Sequence, residues 1–248
     1  MTLKHLTFYF ILLGCSVNLA AQNLTHVGLL PRINYQKPID EHFSLNFTAF
    51  SEIDPADNTV DGMLLPSKVI NLTFVGGVAY KINRNSILTA GYLFRIIDPF
   101  RDELRNEHRF ISQFVQIQHF GRLRIRHHLR FEQRFIEAVS LDDFNAVTRL
   151  SYSLGWDIPL QGRHLNANEF YLNSVNSYFV QPTKPRTAFN NLTEFYLGLG
   201  YKTENIGRFE IGPEAKISVR NLDQDLNALI FIDFIWYPSF KKKKQKTI

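Results

Sequence analysis

RLRIRHHLRFEQRF, residues Arg122–Phe135, holds five arginines, two histidines and one glutamate in fourteen positions. On a helix, at roughly 100° per residue, Leu123, Ile125, Leu129, Phe131 and Phe135 scatter around the circumference and leave no apolar face. On a strand, successive side chains point to opposite faces. One face then carries Arg122, Arg124, Arg126, His128, Arg130, Glu132 and Arg134, and the other carries Leu123, Ile125, His127, Leu129, Phe131, Gln133 and Phe135. The stretch predicts a β-strand of about fourteen residues, where roughly five or six are usual in a globular sheet.

The same alternation recurs along the chain. HFSLNFTAF sets His42, Ser44, Asn46 and Thr48 against Phe43, Leu45, Phe47 and Ala49. VINLTFVGGVAYKI opposes Asn71, Thr73, Gly77 and Lys81 to Ile70, Leu72, Phe74, Val78 and Tyr80. SILTAGYLFRI places Thr89, Gly91 and Arg95 on one side, and VTRLSYSLGWD does so with Arg149, Ser151, Ser153, Gly155 and Asp157. In RFEIGPEAKISVR the charged face is Arg208, Glu210, Glu214, Lys216 and Arg220, and in ALIFIDFIWYPSF one face is Ile230, Ile232, Phe234 and Trp236. With strands near 27–38, 104–120, 167–182 and 193–202 these make eleven. Turn-like breaks near 83–85, 121 and 204–207 mark hairpins of an antiparallel meander, and no low-complexity linker divides the chain.

The two ends read differently from the body. Lys4 and His5 precede the apolar run Leu6–Gly14, which is too short to span a bilayer as a helix, and Ala20–Ala21–Gln22 offers a cleavage point. Residues 1–21 are expected to be a signal peptide; the competing reading is a lipoprotein signal with acylated Cys15. Cys15 is the sole cysteine, so simple cleavage leaves neither disulfide nor thiolate metal site. Five lysines in the last eight residues, 241–248, account for the whole formal charge of +5. The arginine stretch therefore belongs to a near-neutral body, and a nucleic-acid partner is not expected.

Residues 22–240 form one domain on this reading, an all-β, closed, antiparallel up-and-down barrel. A soluble barrel turns its apolar face inward and a membrane barrel turns it to lipid. The dense charge on the polar faces, and aromatics such as Tyr80, Trp156, Trp236 and Tyr237 near strand ends, favour a transmembrane barrel in a bacterial outer membrane. His127 and Gln133 fall on the supposed lipid face, against that reading. Eleven strands would start the first one at the long-loop side, so a short extra strand at Thr59–Leu65 is invoked to give about twelve, with ten as the alternative. Outer-membrane lipid and the barrel-assembly machinery are the expected partners, and no cofactor is expected.

GLLPRINYQKPIDEHFSLNFTAF, ELRNEHRFISQF followed by RLRIRHHLRFEQRF, RLSYSLGWDIPL and FYLGLGYK carry a resemblance over nearly all the mature chain. They resemble the Bacteroidota outer-membrane barrel family catalogued as domain-of-unknown-function family 2490. The resemblance implies the location and the fold, and no activity comes with it. The chain departs at its end, where KKKKQKTI follows Phe240, the expected terminal aromatic.

Little else points to chemistry. Gly198–Leu199–Gly200 lies in a strand and lacks the third glycine of a nucleotide loop. Adjacent His127 and His128 face opposite sides and cannot share a metal. Asp54, Asp57 and Asp61 do not space as a calcium loop, and no metal is expected. His42 and Ser44 share a face as a base–nucleophile pair would, but it is the polar one, away from lipid; no enzyme activity is expected, with a lipid-acting enzyme as the alternative. The Asn-x-Thr sequons at Asn23, Asn46, Asn71 and Asn191 are read as chance. The arginine ladder has two readings: a cationic wall favouring anions in a narrow pore, or structural filling neutralised by Glu107, Glu132, Glu210 and Glu214. A soluble ligand-binding barrel with its apolar face inward is the further alternative.

Overall fold

A computed structural model of the chain describes residues 24–55, 58–60, 63–65, 68–100, 105–138, 143–182, 191–219 and 226–239. Residues 1–21, expected to be a signal peptide, and the lysine-rich tail, together with Cys15, Asp57, Asp61 and Arg220, lie outside them. The described residues form thirteen strands: β1 (Leu24–Pro38), β2 (Phe43–Asp54), β3 (Asn58–Val60), β4 (Met63–Leu65), β5 (Lys68–Lys81), β6 (Ser86–Ile97), β7 (Arg105–Phe120), β8 (Leu123–Ala138), β9 (Asp143–Pro159), β10 (Glu169–Val180), β11 (Asn191–Lys202), β12 (Arg208–Val219) and β13 (Leu226–Tyr237). Their period-two alternation, with β-branched and aromatic residues on one face, is what makes them strands.

Eleven of the strands close into one barrel, in the order β1-β13-β12-β11-β10-β9-β8-β7-β6-β5-β2 and back to β1. Neither twelve strands nor ten is found. The extra strand expected at Thr59–Leu65 does not join the wall: Asn58–Val60 and Met63–Leu65 pair only with each other as a separate two-stranded sheet. Three residues each are too few to traverse the wall. An odd count has a topological consequence. First and last strands run the same way, so the closing pair β1–β13 is parallel, from Leu24 opposite Ala228 to Ile33 opposite Trp236. Every other barrel pair is antiparallel, and parity is resolved at the seam instead of by a twelfth strand.

The strands alternate inside and out as their sequences require. Phe43, Leu45, Phe47, Phe74, Leu129, Phe131, Leu150, Tyr152 and Ile211 are exposed on the outer surface. Glu107, Arg109, Glu132, Asp157, Glu210, Glu214 and Asp233 are buried inside. The barrel is thus turned apolar side out, the reverse of the arrangement expected for a soluble ligand-binding barrel. Aromatic side chains cluster on the outer surface near both ends. Phe43 packs on Tyr80 at 5.0 Å, Phe170 on Tyr201 at 4.8 Å and Phe209 on Trp236 at 6.0 Å at the end of the tight turns. His108 meets Phe94 at 5.3 Å and Phe144 at 5.6 Å at the other.

The tightest reversal sits at the head of the arginine strand. Gly121, at φ 61°, turns the chain between Phe120 and Leu123, which pair directly. Strand β8 therefore starts one residue later than its sequence pattern suggests, and Arg122 is an exposed turn residue, not a member of the inner wall.

Candidate functional site in the barrel lumen

The inner wall is built from the inward positions of eleven strands, and its charges are grouped. Two glutamates act as hubs. Glu107 of β7 accepts from Arg109 Nε at 2.7 Å and from Arg134 of β8, with Arg95 of β6 at 3.9 Å. Glu132 of β8 takes Arg109 at 3.4 Å, Arg130 at 3.4 Å and Arg149 of β9. The hubs are side-chain 1 % exposed, so each carboxylate is stabilised by its arginines in place of water. Strand alternation puts these residues on one face, and the register brings them together: Arg149 lies opposite Glu132, and Arg95 opposite Glu107.

Two further groups stand apart from the hubs. Arg124 and Arg126 meet Asp157 at 2.9 and 3.6 Å, and Arg126 also donates to Asn173 Oδ1 at 2.8 Å. Nearby, Glu210 accepts from Tyr171 Oη at 2.6 Å and Asn173 Nδ2 at 2.9 Å, with Tyr196 and Tyr237 hydroxyls at 3.4 Å. Arg208 lies over the Tyr237 ring, 4.4 Å from its centre. Gly198 and Gly200 make this packing possible, because a Cβ at either would overlap the Tyr196 or Tyr171 side chain. That is the role of the Gly-x-Gly, and it is steric. On the closing side, Arg32 of β1 bridges Glu214 at 3.1 Å and Asp233 at 3.3 Å, while Lys216 joins Glu52 to Glu214.

Much of the remaining wall is uncharged, with small polar residues beside the apolar Phe50, Val75 and Leu93. Asn34, Asn46, Thr48, Gly77, Thr89 and Gly91 line the lumen there, with Gly77 paired directly to Gly91. Between this wall and the arginines lies a cavity of about 730 Å³. Arg32, Arg95, Arg109, Arg130, Arg134, Arg149, Arg208 and Lys216 border it, with Glu52, Glu194 and Glu214. The cations face the cavity and the hub glutamates sit behind them.

The members of the ladder inferred from the sequence thus divide. Arg130, Arg134, Arg149, Arg208, Glu214 and Lys216 border the cavity. Arg124, Arg126, Glu132 and Glu210 are tied into the wall, and His128 shares a hydrogen bond with Gln113 at 3.3 Å. Arg122 is in the turn, and Arg220 is outside the described residues. Arg95, which alternation in SILTAGYLFRI places on the polar face, joins Arg32, Arg109, Glu52, Glu194 and Asp233, which do not stand out in sequence, to complete the lumen. Arg109 was detectable from Glu107-x-Arg109 alternation, but Asp233 lies in ALIFIDFIWY, where both faces are apolar and periodicity cannot say which points in.

The other motifs resolve structurally. His42 stacks on Tyr80 at 6.0 Å in the turn, and Ser44 Oγ accepts from Gln36 Nε2 at 2.9 Å; the two are not brought together as base and nucleophile. His127 and Gln133 do face outward, each with a partner: His127 Nδ1 lies 2.8 Å from Tyr152 Oη, and Gln133 Oε1 accepts from Thr148 Oγ1 at 2.9 Å. No group of three or more metal-ligating side chains occurs among the described residues.

Fold and lumen together define a closed β-barrel with an apolar exterior and a charged, solute-sized interior. Residues 30–217 match the family described as Protein of unknown function (DUF2490), and the chain belongs to that family. No curated protein and no solved structure matches it.

Proposed function

We propose that this protein is an outer-membrane β-barrel that admits small anionic solutes to its lumen. The observation that carries the reading is the inversion itself: large apolar side chains outside, and inside a cavity whose charged border is mostly arginine. Water would not favour so large an apolar surface, whereas a bilayer accepts it. Strands of twelve or more residues exceed the roughly 9–11 needed to cross a tilted bilayer. The aromatic clusters suit its two interfaces. Outer-membrane lipid and, during biogenesis, the barrel-assembly machinery are the partners this location implies, with residues 1–21 acting as the export signal.

Two measurements test it. The protein is expected in the outer-membrane fraction, and recovery from the detergent-free soluble periplasm would overturn the location. Refolded protein in a planar bilayer is expected to conduct with anions preferred over cations, a preference that falls in Arg95→Ala/Arg134→Ala. The ion-paired hubs favour a second reading, a structural envelope barrel with a sealed lumen, and the absence of any conductance would select it.

A further inference from the structure

The arginine wall carries more charge than its carboxylates balance. Arg95, Arg109, Arg130, Arg134 and Arg149 converge on Glu107 and Glu132, and Glu194 of β11 faces the same cavity. With the cations and acids of the rest of the cavity border, and with Asp233 behind Arg32, eight cations face six acids among the described residues, in an interior where like charges repel more strongly than in water. The excess is also chemically open. Arg95 uses only Nε in a hydrogen bond, to Thr73 Oγ1 at 2.9 Å, and Arg134 only Nε, to Glu107. Their terminal nitrogens have no hydrogen-bond partner among the described residues, and both side chains border the cavity. Two charges in excess, presented by planar guanidinium forks, match a dianionic tetrahedral oxyanion better than a halide. A phosphate monoester carries roughly −1.5 to −2 at neutral pH.

The facing wall is independent of that charge and specifies the rest of the solute. Asn34, Asn46, Thr48 and Thr89 offer donors and acceptors without charge, and Asn46 Oδ1 is buried with no hydrogen-bond partner. Hydroxyl groups satisfy such a surface. The volume of about 730 Å³ falls within the roughly 300–1,000 Å³ of small-molecule sites. We propose that the lumen holds a binding site for a phosphorylated polyol of monosaccharide size, with its phosphate on the arginine wall and its hydroxyls on the neutral wall. This rests on reading the lumen as a solute compartment, and it names the solute class.

The test is calorimetric titration of the full-length protein refolded in detergent micelles, with glucose 6-phosphate, glucuronate, inorganic phosphate, glucose and chloride. Glucose 6-phosphate is expected to bind most tightly, glucuronate and phosphate more weakly, and glucose and chloride not measurably. Arg95→Gln and Arg134→Gln are each expected to raise the Kd for glucose 6-phosphate roughly tenfold or more, as loss of a charged hydrogen bond does. Arg124→Gln, whose guanidinium is held on Asp157, is expected to leave it unchanged. Asn46→Ala/Thr48→Ala is expected to bring glucose 6-phosphate down to the affinity of phosphate. Should a Gln variant not fold, Arg95→Lys keeps the charge, loses the fork and is expected to weaken binding. Equal affinity for glucose 6-phosphate and phosphate overturns the polyol part. Absence of oxyanion binding, or binding indifferent to Arg95 and Arg134, overturns the site. Because micelles need no conductance, binding without conductance would fail the pore reading alone, and conductance without binding would fail this site alone.

Discussion

The two sides of the lumen solve the problem of an enclosed polar surface in different ways. On β7, β8 and β9, strands of 16, 16 and 17 residues, long charged side chains are held by buried glutamates. On β1, β2, β5 and β6 many inward positions are short amides, hydroxyls and glycines that leave room, with Arg32, Glu52 and Arg95 as the charged exceptions. One side is filled and charged, the other thin and mostly neutral, and the cavity exists because they face each other. An interior of arginines alone would repel itself, and one of small residues alone would select nothing.

Breaking the charged side should have the largest effect. Glu132→Gln removes the counter-charge from Arg109, Arg130 and Arg149 together and is expected to destabilise the barrel by about 3–5 kcal/mol, measured by denaturant unfolding in micelles. Its neighbour Gln133 faces outward, so Gln133→Leu is expected to change stability by less than about 1 kcal/mol. Similar costs for the two would mean that the faces are assigned wrongly. Giving the neutral side a charge should alter selectivity instead of stability. Thr48→Glu sets a carboxylate across from the arginines and is expected to lower the anion-to-cation permeability ratio several-fold in planar bilayers; an unchanged ratio would place ion passage elsewhere. The smallest effect belongs to the turn that joins β1 and β2. Asp40 is held below the usual carboxylate range by hydrogen bonds from the amides of Phe43 and His42, each 2.7 Å. A depressed folded-state pKa contributes stability above the unfolded value, and that contribution is lost as pH falls through the folded one. Acidification should therefore remove hydrogen-exchange protection of the Phe43 amide in this turn before the walls respond, and Asp40→Ala should abolish that pH dependence.

Much of the barrel was legible strand by strand. In β8, β9 and β12 a charged face alternates with an apolar one, and each residue points where alternation sends it. Legibility failed where that signal was weak. The two short strands at 58–60 and 63–65 have a strand-like composition but are too short to cross the wall, so they add no twelfth strand to the barrel. In β13 apolar residues occupy both faces, so Asp233 passed unnoticed. Arg122 extended the pattern by one residue into a turn made by Gly121.

The sequence by itself determined the class of fold and the side each residue takes, because side-chain direction in a strand has a period of two and is set by the residue's own backbone. Tertiary structure decided the number of strands, the parallel seam and the partner of every lumen charge. Arg32 meets Glu214 across 182 residues of sequence, and Lys216 meets Glu52 across 164. Such pairs depend on strand register and on the curvature that closes the sheet, and neither is written in any single strand.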